Sequence, residues 1–278
     1  MPSASLGALV AAASALAFGA GDFLGGSAAR RGDPLRAATV VQGVGMVSLL
    51  IVAAVWGGPL TMTALIIGAA AGVGGGVGLA ALYRALASGN MAVVTGLTGA
   101  IASLLALSAD AALRGFVPSA IQLAGVACAL GAAWIVTVGK GQPVAVGVIA
   151  ATFVAGTAFG LFFVLLGRAA ESNPLWGVAA ARVVGTAVLV STSWVRGGEF
   201  PSEWRRLIGA GLLDATANWL IVTALVLTPA GLATAVSNAN TPIVTMSLAW
   251  LLLEERTSRG GLIALALACV GIALIALG

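Results

Sequence analysis

Histidine is absent from this chain, and charged residues of every kind make up only 8% of it. Without histidine, Ser-His and Cys-His catalysis fall away and few metal-ligand sets remain. A soluble domain carries roughly 25% charged residues, so this chain has almost no polar surface to offer water. Cysteine is scarce too. Cys128 and Cys269 both fall inside apolar runs, where they read as small packing residues rather than redox or metal groups. The nine acids are scattered. A membrane-embedded enzyme acting on a lipid or isoprenoid is the rival reading. It would be expected to cluster acids around a metal and diphosphate, or to use a histidine-assisted nucleophile. No catalytic residue, cofactor or metal site is therefore expected.

What is abundant is apolar. Of 278 residues, 60% are hydrophobic, with a mean hydropathy of +1.10. Crossing the hydrocarbon takes about 20 apolar residues per helix. Ten such segments can be read off the chain: 5–28, 35–56, 61–86, 91–109, 117–138, 144–168, 175–195, 205–227, 231–252 and 259–277. Turn formers separate them, among them Arg30-Arg31-Gly32-Asp33-Pro34, Gly57-Gly58-Pro59, Asn173-Pro174 and Thr228-Pro229. The first segment has no basic region before it and is too long for a signal peptide, so it is expected to stay as the first span. The expectation is an all-α polytopic protein of the cell inner (plasma) membrane, multi-pass.

The ten segments divide into two sets of five that align at a nearly constant offset. Asp33-Pro34-Leu35 lies over Asn173-Pro174-Leu175, Phe18-Gly19 over Phe159-Gly160, and Ile67-Gly68-Ala69 over Ile208-Gly209-Ala210. This gives a first five-helix repeat over 1–139, a linker at 140–143 and a second repeat over 144–278. Five spans is an odd number, so the second repeat sits inverted with respect to the first. Secondary transporters share that plan, with substrate bound near mid-membrane between the halves. Glycine is plentiful at 39 residues, and Gly68/Gly72/Gly76 and Gly156/Gly160 are small-xxx-small spacings that let helices approach closely in lipid.

Several stretches carry a resemblance. Thr228-Pro229-Ala230-Gly231-Leu232-Ala233-Thr234-Ala235, the Asn240-Thr241-Pro242-Ile243-Val244 segment, and the Leu253-Glu254-Glu255-Arg256 turn before a glycine-punctuated last span resemble the end of an EamA-type module. Such modules belong to the drug/metabolite transporter superfamily. Phe18 to Gly26 resembles the first span of a subgroup of these transporters. The first half departs from the pattern, with Ala102 in place of the mid-span proline and Leu113-Arg114 in place of the Glu-Arg turn. The resemblance implies ten helices and gradient-driven export or exchange of small metabolites. It also implies a cavity lined by the first, third, fourth, sixth, eighth and ninth spans. The partners expected are the lipid bilayer, a small-molecule substrate and a coupling proton, in a monomer or homodimer.

Net charge is +4, but the basic residues are dispersed at span ends, which argues for membrane orientation rather than nucleic acid. Arg30, Arg31, Arg36, Arg84, Lys140, Arg196, Arg205, Arg206, Arg256 and Arg259 fall on one side, against Arg114 and Arg168 on the other. That bias puts both termini outside the cytoplasm. Characterised transporters of the resembled family generally have cytoplasmic termini, and the two expectations oppose each other.

Polar residues inside spans are costly, roughly 2.5–3.5 kcal/mol for a charge at helix centre, so they are candidates for substrate binding. Asp214 is the deepest acid, with Asn218 one turn on and Trp219 beside it; a buried Asp–Asn structural pair is the alternative reading. Arg182 lies where the first half has Gln42, and needs a carboxylate that Asp214 or Asp22 could supply. Asn238 and Asn240 flank a kink at Pro242 in the ninth span, and point about 200° apart on a regular helix. Thr95 and Thr98 are their nearest counterparts in the fourth, where a hydroxyl can instead bond its own helix backbone.

Overall fold

The computed structural model describes residues 2–88, 90–114, 119–138, 145–196, 202–227 and 230–277. All the regular structure there is helical. The elements are α1 (Pro2–Ala29), α2 (Pro34–Trp56), α3 (Met62–Ser88), α4 (Met91–Arg114) and α5 (Ala120–Val138). They are followed by α6 (Val146–Ala170), α7 (Pro174–Arg196), α8 (Trp204–Leu227), α9 (Ala230–Leu253) and α10 (Arg259–Leu277). Each helix coincides with one apolar segment of the sequence. The expected linker at 140–143 lies outside the described residues.

Local chemistry sets the helix starts. Asp33 caps α2, its Oδ1 accepting from the Arg36 N–H at 2.8 Å, with Pro34 at the first helical position. Asn173 does the same for α7, accepting from Trp176 N–H at 3.1 Å ahead of Pro174. The two caps hold matching places in the two halves of the chain.

Six helices, α1 to α3 and α6 to α8, are long and apolar enough to cross a membrane over their described parts, and Met91–Ala106 and Arg259–Leu274 are shorter apolar stretches. The exterior suits lipid: Trp194 and Val195 are 83% and 86% exposed, as no water-soluble surface would tolerate around an apolar bundle. The chain is a multi-pass membrane protein.

The packing joins the two halves throughout. α1 packs on α8 and α9, while α6 packs on α3 and α4. α2 packs on α7 and α8, and α7 on α2 and α3. α4 meets α9, and α5 meets α10. Exchanging α1–α5 for α6–α10 turns each of these contacts into another or into itself. The α3–α7 seam is made by glycine: a Cβ at Gly68, Gly72 or Gly76 would run into the backbone carbonyl of Gly177, Ala181 or Gly185.

At the arginine-rich end of the bundle, five helix ends are tied together. Arg30 pairs with Glu255 at 2.9 Å and donates from Nε to the Leu86 carbonyl at 3.0 Å. Glu255 Oε1 accepts from the Met91 N–H at 2.9 Å, so one side chain joins the ends of α1, α4 and α9. Glu254, at φ 54°, reverses the chain after α9 and lets Glu255 reach back. Arg31 pairs with Glu203 at 3.0 Å between α1 and the start of α8. At the opposite end, Asn173 Nδ2 donates to the Gly57 carbonyl at 2.6 Å and Trp176 Nε1 to that of Gly58 at 3.0 Å.

Candidate functional site

A cavity opens inside the bundle between the two halves. Its walls come from α1, α3, α4, α6, α8 and α9, with Gln42 of α2 and Arg182 of α7 added. About 70 Å³ is open to the centres of water-sized molecules, against the 10–15 Å³ that one water needs, so several waters fit.

Its polar floor is an ion pair. Arg182 Nη1 lies 2.6 Å from Asp214 Oδ2, with side chains only 6% and 13% exposed. The same nitrogen donates to Gln42 Oε1 at 2.5 Å. Asn218 Nδ2 donates to the Asp214 carbonyl at 2.8 Å and to Asp214 Oδ1 at 3.3 Å, as the one-turn spacing requires. Two glycines make room for this cluster. A Cβ at Gly45 would sit 3.4 Å from Asp214 Oδ2, and one at Gly185, its counterpart in the second half, would strike Gln42 Nε2.

Besides Asp214 Oδ2, which is held by the Arg182 charge alone, three buried atoms of cavity-lining residues have no hydrogen-bond partner among the described residues: Arg182 Nε, Asn218 Oδ1 and Thr98 Oγ1. Leaving a buried polar group unsatisfied costs about 1–3 kcal/mol, so such atoms mark where a ligand or water belongs. Asp22, half-buried on the α1 wall, makes no hydrogen bond or ion pair with any described residue. α1 touches α8 here, since a Cβ on Gly21 would lie 3.6 Å from the Asp214 backbone N. Aromatic rings of α1 and α6 also line the cavity. Phe18 meets Phe163 edge-on at 6.5 Å, Phe163 meets Phe162 at 5.1 Å, and Phe159 completes the group.

The structure therefore gathers Asp22, Thr95, Thr98, Arg182, Asp214, Asn218 and Asn238 around one cavity. Thr95 turns its hydroxyl to its own helix, donating to the Met91 carbonyl at 2.9 Å. Asn238 Nδ2 reaches across to Ser103 Oγ at 3.0 Å, joining α9 to α4. Trp219 and Asn240 are not at the cavity. Trp219 follows Asn218 by one residue, about 100° around α8, so it is 39% exposed on the outside and stacks on Trp56 at 5.8 Å. Asn240 is turned away from Asn238 in the same manner and bonds the Val236 carbonyl at 2.8 Å. Gln42 and the four phenylalanines are the site residues that sequence reasoning passed over. Gln42 had a signal: it is the amide standing where the second half has Arg182.

Among the described residues no three acids or cysteines converge as a metal site requires. What the arrangement can do is hold a small molecule by charge, hydrogen bonds and aromatic rings, in a space with room for several waters.

Residues 146–277, which are α6 to α10, match the family model of the EamA-like transporter family. The second half of this chain is similar to that family. Among 23 matching chains of solved structures, one crystal structure aligns over 97% of this chain and 97% of its own, with a TM-score of 0.72 and 19% identity. At that identity the likeness extends to the fold alone. No curated protein matches the sequence.

Proposed function

We propose that the chain is a secondary transporter with ten membrane spans in two inverted five-helix repeats, 1–139 and 144–278, that moves a small metabolite by alternating access. One observation carries this reading. The cavity lies between the halves, where both contribute walls, and it holds a buried ion pair and unsatisfied polar atoms inside an otherwise apolar bundle. Burying such groups is costly without a purpose that needs them. The helix pairing supports the repeat, because α1–α8, α1–α9 and α2–α8 exchange with α3–α6, α4–α6 and α3–α7 when the halves are swapped, although α4–α10 has no such counterpart among the described residues. Asp22, Arg182, Asp214, Asn218, Asn238 and Thr98 are the residues proposed to face the substrate. α4, α5, α9 and α10 complete the ten spans.

Alternation is read without knowing the substrate. With a cysteine at Thr98, in a variant lacking Cys128 and Cys269, an impermeant thiol reagent should reach the cavity from either face of sealed vesicles. Labelling from one face should protect against labelling from the other. Reagent access from one face alone under all conditions counts against alternating access. Counterflow of a labelled metabolite panel in proteoliposomes then identifies the cargo.

A further inference from the structure

Asp22 lines the cavity on α1. Gly25 follows it by three residues, on the same side of the helix and about 4.5 Å nearer the arginine-rich end. There the ring of Tyr83 on α3 lies against Gly25, and a Cβ at that position would overlap Tyr83 Oη and Cζ. Tyr83 is only 1% exposed, while Leu79 and Leu82 before it line the cavity. The contact therefore closes α1 on α3 just beyond the cavity.

Gly26 packs in the same way. A Cβ there would lie 3.0 Å from Leu86 Cβ and 3.3 Å from Met91 Cε. Leu86 and Met91 also belong to the tie one turn further out, where the Leu86 carbonyl accepts from Arg30 Nε and the Met91 N–H donates to Glu255. A layer of packing and a layer of charge thus hold α1 against the end of α3 and the start of α4. The opposite end is not packed alike. The offset that lays Phe18-Gly19 over Phe159-Gly160 lays Gly26 over Gly167, and a Cβ at Gly167 would meet nothing within 4 Å.

We propose that Gly25, Gly26, Tyr83 and Met91 form a gate at the arginine-rich end, shut in this structure, and that the bare backbone of Gly25 is what lets it shut. Any side chain at Gly25 holds α1 away from Tyr83. Asp22 and Gly25 share one side of α1, so a shift of α1 that reshapes the cavity also engages or frees Tyr83. This rests on reading the chain as an alternating-access transporter, and it names the moving element and its stop.

The test uses the full chain in sealed vesicles of both orientations, with Thr98→Cys as reporter in a variant lacking Cys128 and Cys269. An impermeant maleimide is added at one end or the other. A minor conformation is typically about 0.1–10% populated, so making the open gate the main state should speed labelling from the arginine-rich end about tenfold or more. Gly25→Ala should do this without speeding labelling from the opposite end. Adding Tyr83→Leu, which removes the atoms that the new methyl meets, should restore the parent rate. Gly26→Ala, with its milder overlap, should give a smaller rise, and Gly167→Ala should change neither rate. That second pair carries the test if Gly25→Ala does not fold.

An unchanged rate in Gly25→Ala, an equal rise from both ends, or a double variant that stays fast overturns the proposal. Equal rates in Gly26→Ala and Gly167→Ala overturn it too. If the parent reporter fails to alternate while Gly25→Ala still opens that end alone, the transport reading falls and the gate stands. Alternation with no effect of Gly25→Ala defeats the gate alone.

Discussion

Arg182 donates a hydrogen bond to Gln42 at 2.5 Å, and the two residues stand at matching places in the chain, each in the second helix of its own half. Under the two-repeat reading they are equivalent positions. A residue can touch its own equivalent only close to the axis that exchanges the halves. The pair therefore marks that axis, and the Asp214 salt bridge sits beside it. Equivalent positions carry different chemistry here: an amide in one half, a guanidinium in the other.

Arg182→Met should be strongly destabilising, because it leaves Asp214 buried without its partner. Breaking a buried pair costs about 3–5 kcal/mol, whereas replacing both partners by apolar groups is often neutral. Arg182→Met combined with Asp214→Leu should recover most of the loss. Thermal unfolding of the purified variants checks this, and a double variant no better than the single one contradicts it.

Asp22 and Asp214 should respond in opposite ways to the same change. Asp22→Asn removes a carboxylate that has no partner among the described residues, so the melting temperature should hold or rise. Asp214→Asn strands Arg182, and the melting temperature should fall. Equal falls in both would mean that Asp22 is a structural group.

Gly72→Val should cost about 1–3 kcal/mol by forcing α3 away from the Ala181 carbonyl on α7. Gly43→Ala, at a position with nothing within 4 Å, should instead be neutral or stabilise by up to about 1 kcal/mol through helix propensity. Comparing their unfolding temperatures separates helix packing from helix propensity.

Glu255→Gln should loosen the arginine-rich end, where Glu255 joins Arg30 to the start of α4. A cysteine at Asn238 should then label faster with an impermeant reagent added from that end. Labelling from the opposite end should not accelerate. An unchanged rate would mean that the tie does not control access.

The ten-to-two distribution of basic residues predicts that the arginine-rich end is cytoplasmic and both termini are not. Alkaline phosphatase fused after Gly278 should be active, and fused within 140–142 inactive. The reverse pattern overturns the charge-based orientation.

The helices were legible because their causes are local. Hydropathy over the length of one span, a proline at the first turn and an Asp or Asn cap all act within a single segment of chain, and α2 and α7 start where those signals stand. The offset that suggests two repeats is likewise read from the chain alone, since it compares one stretch of chain with another. That polar residues inside these segments are out of the ordinary was also plain, because the cost of a charge in lipid does not depend on its neighbours.

The site itself depends on distant contacts. Sequence offered Asp22 and Asp214 equally as partners for Arg182, and the packing of α7 against α8 and α2 chose Asp214 and added Gln42. Trp219 and Asn240 carry suitable chemistry but face away, since one or two residues of helix rotate a side chain to the other side. Phe18, Phe159, Phe162 and Phe163 read as ordinary apolar residues until α1 and α6 brought them to the cavity. The amino-acid order by itself determined the helices and the membrane class, whose causes lie within one segment. Which side chains meet was decided by the tertiary structure alone, because a contact between the two halves of the chain depends on how two helices rotate and pack against each other.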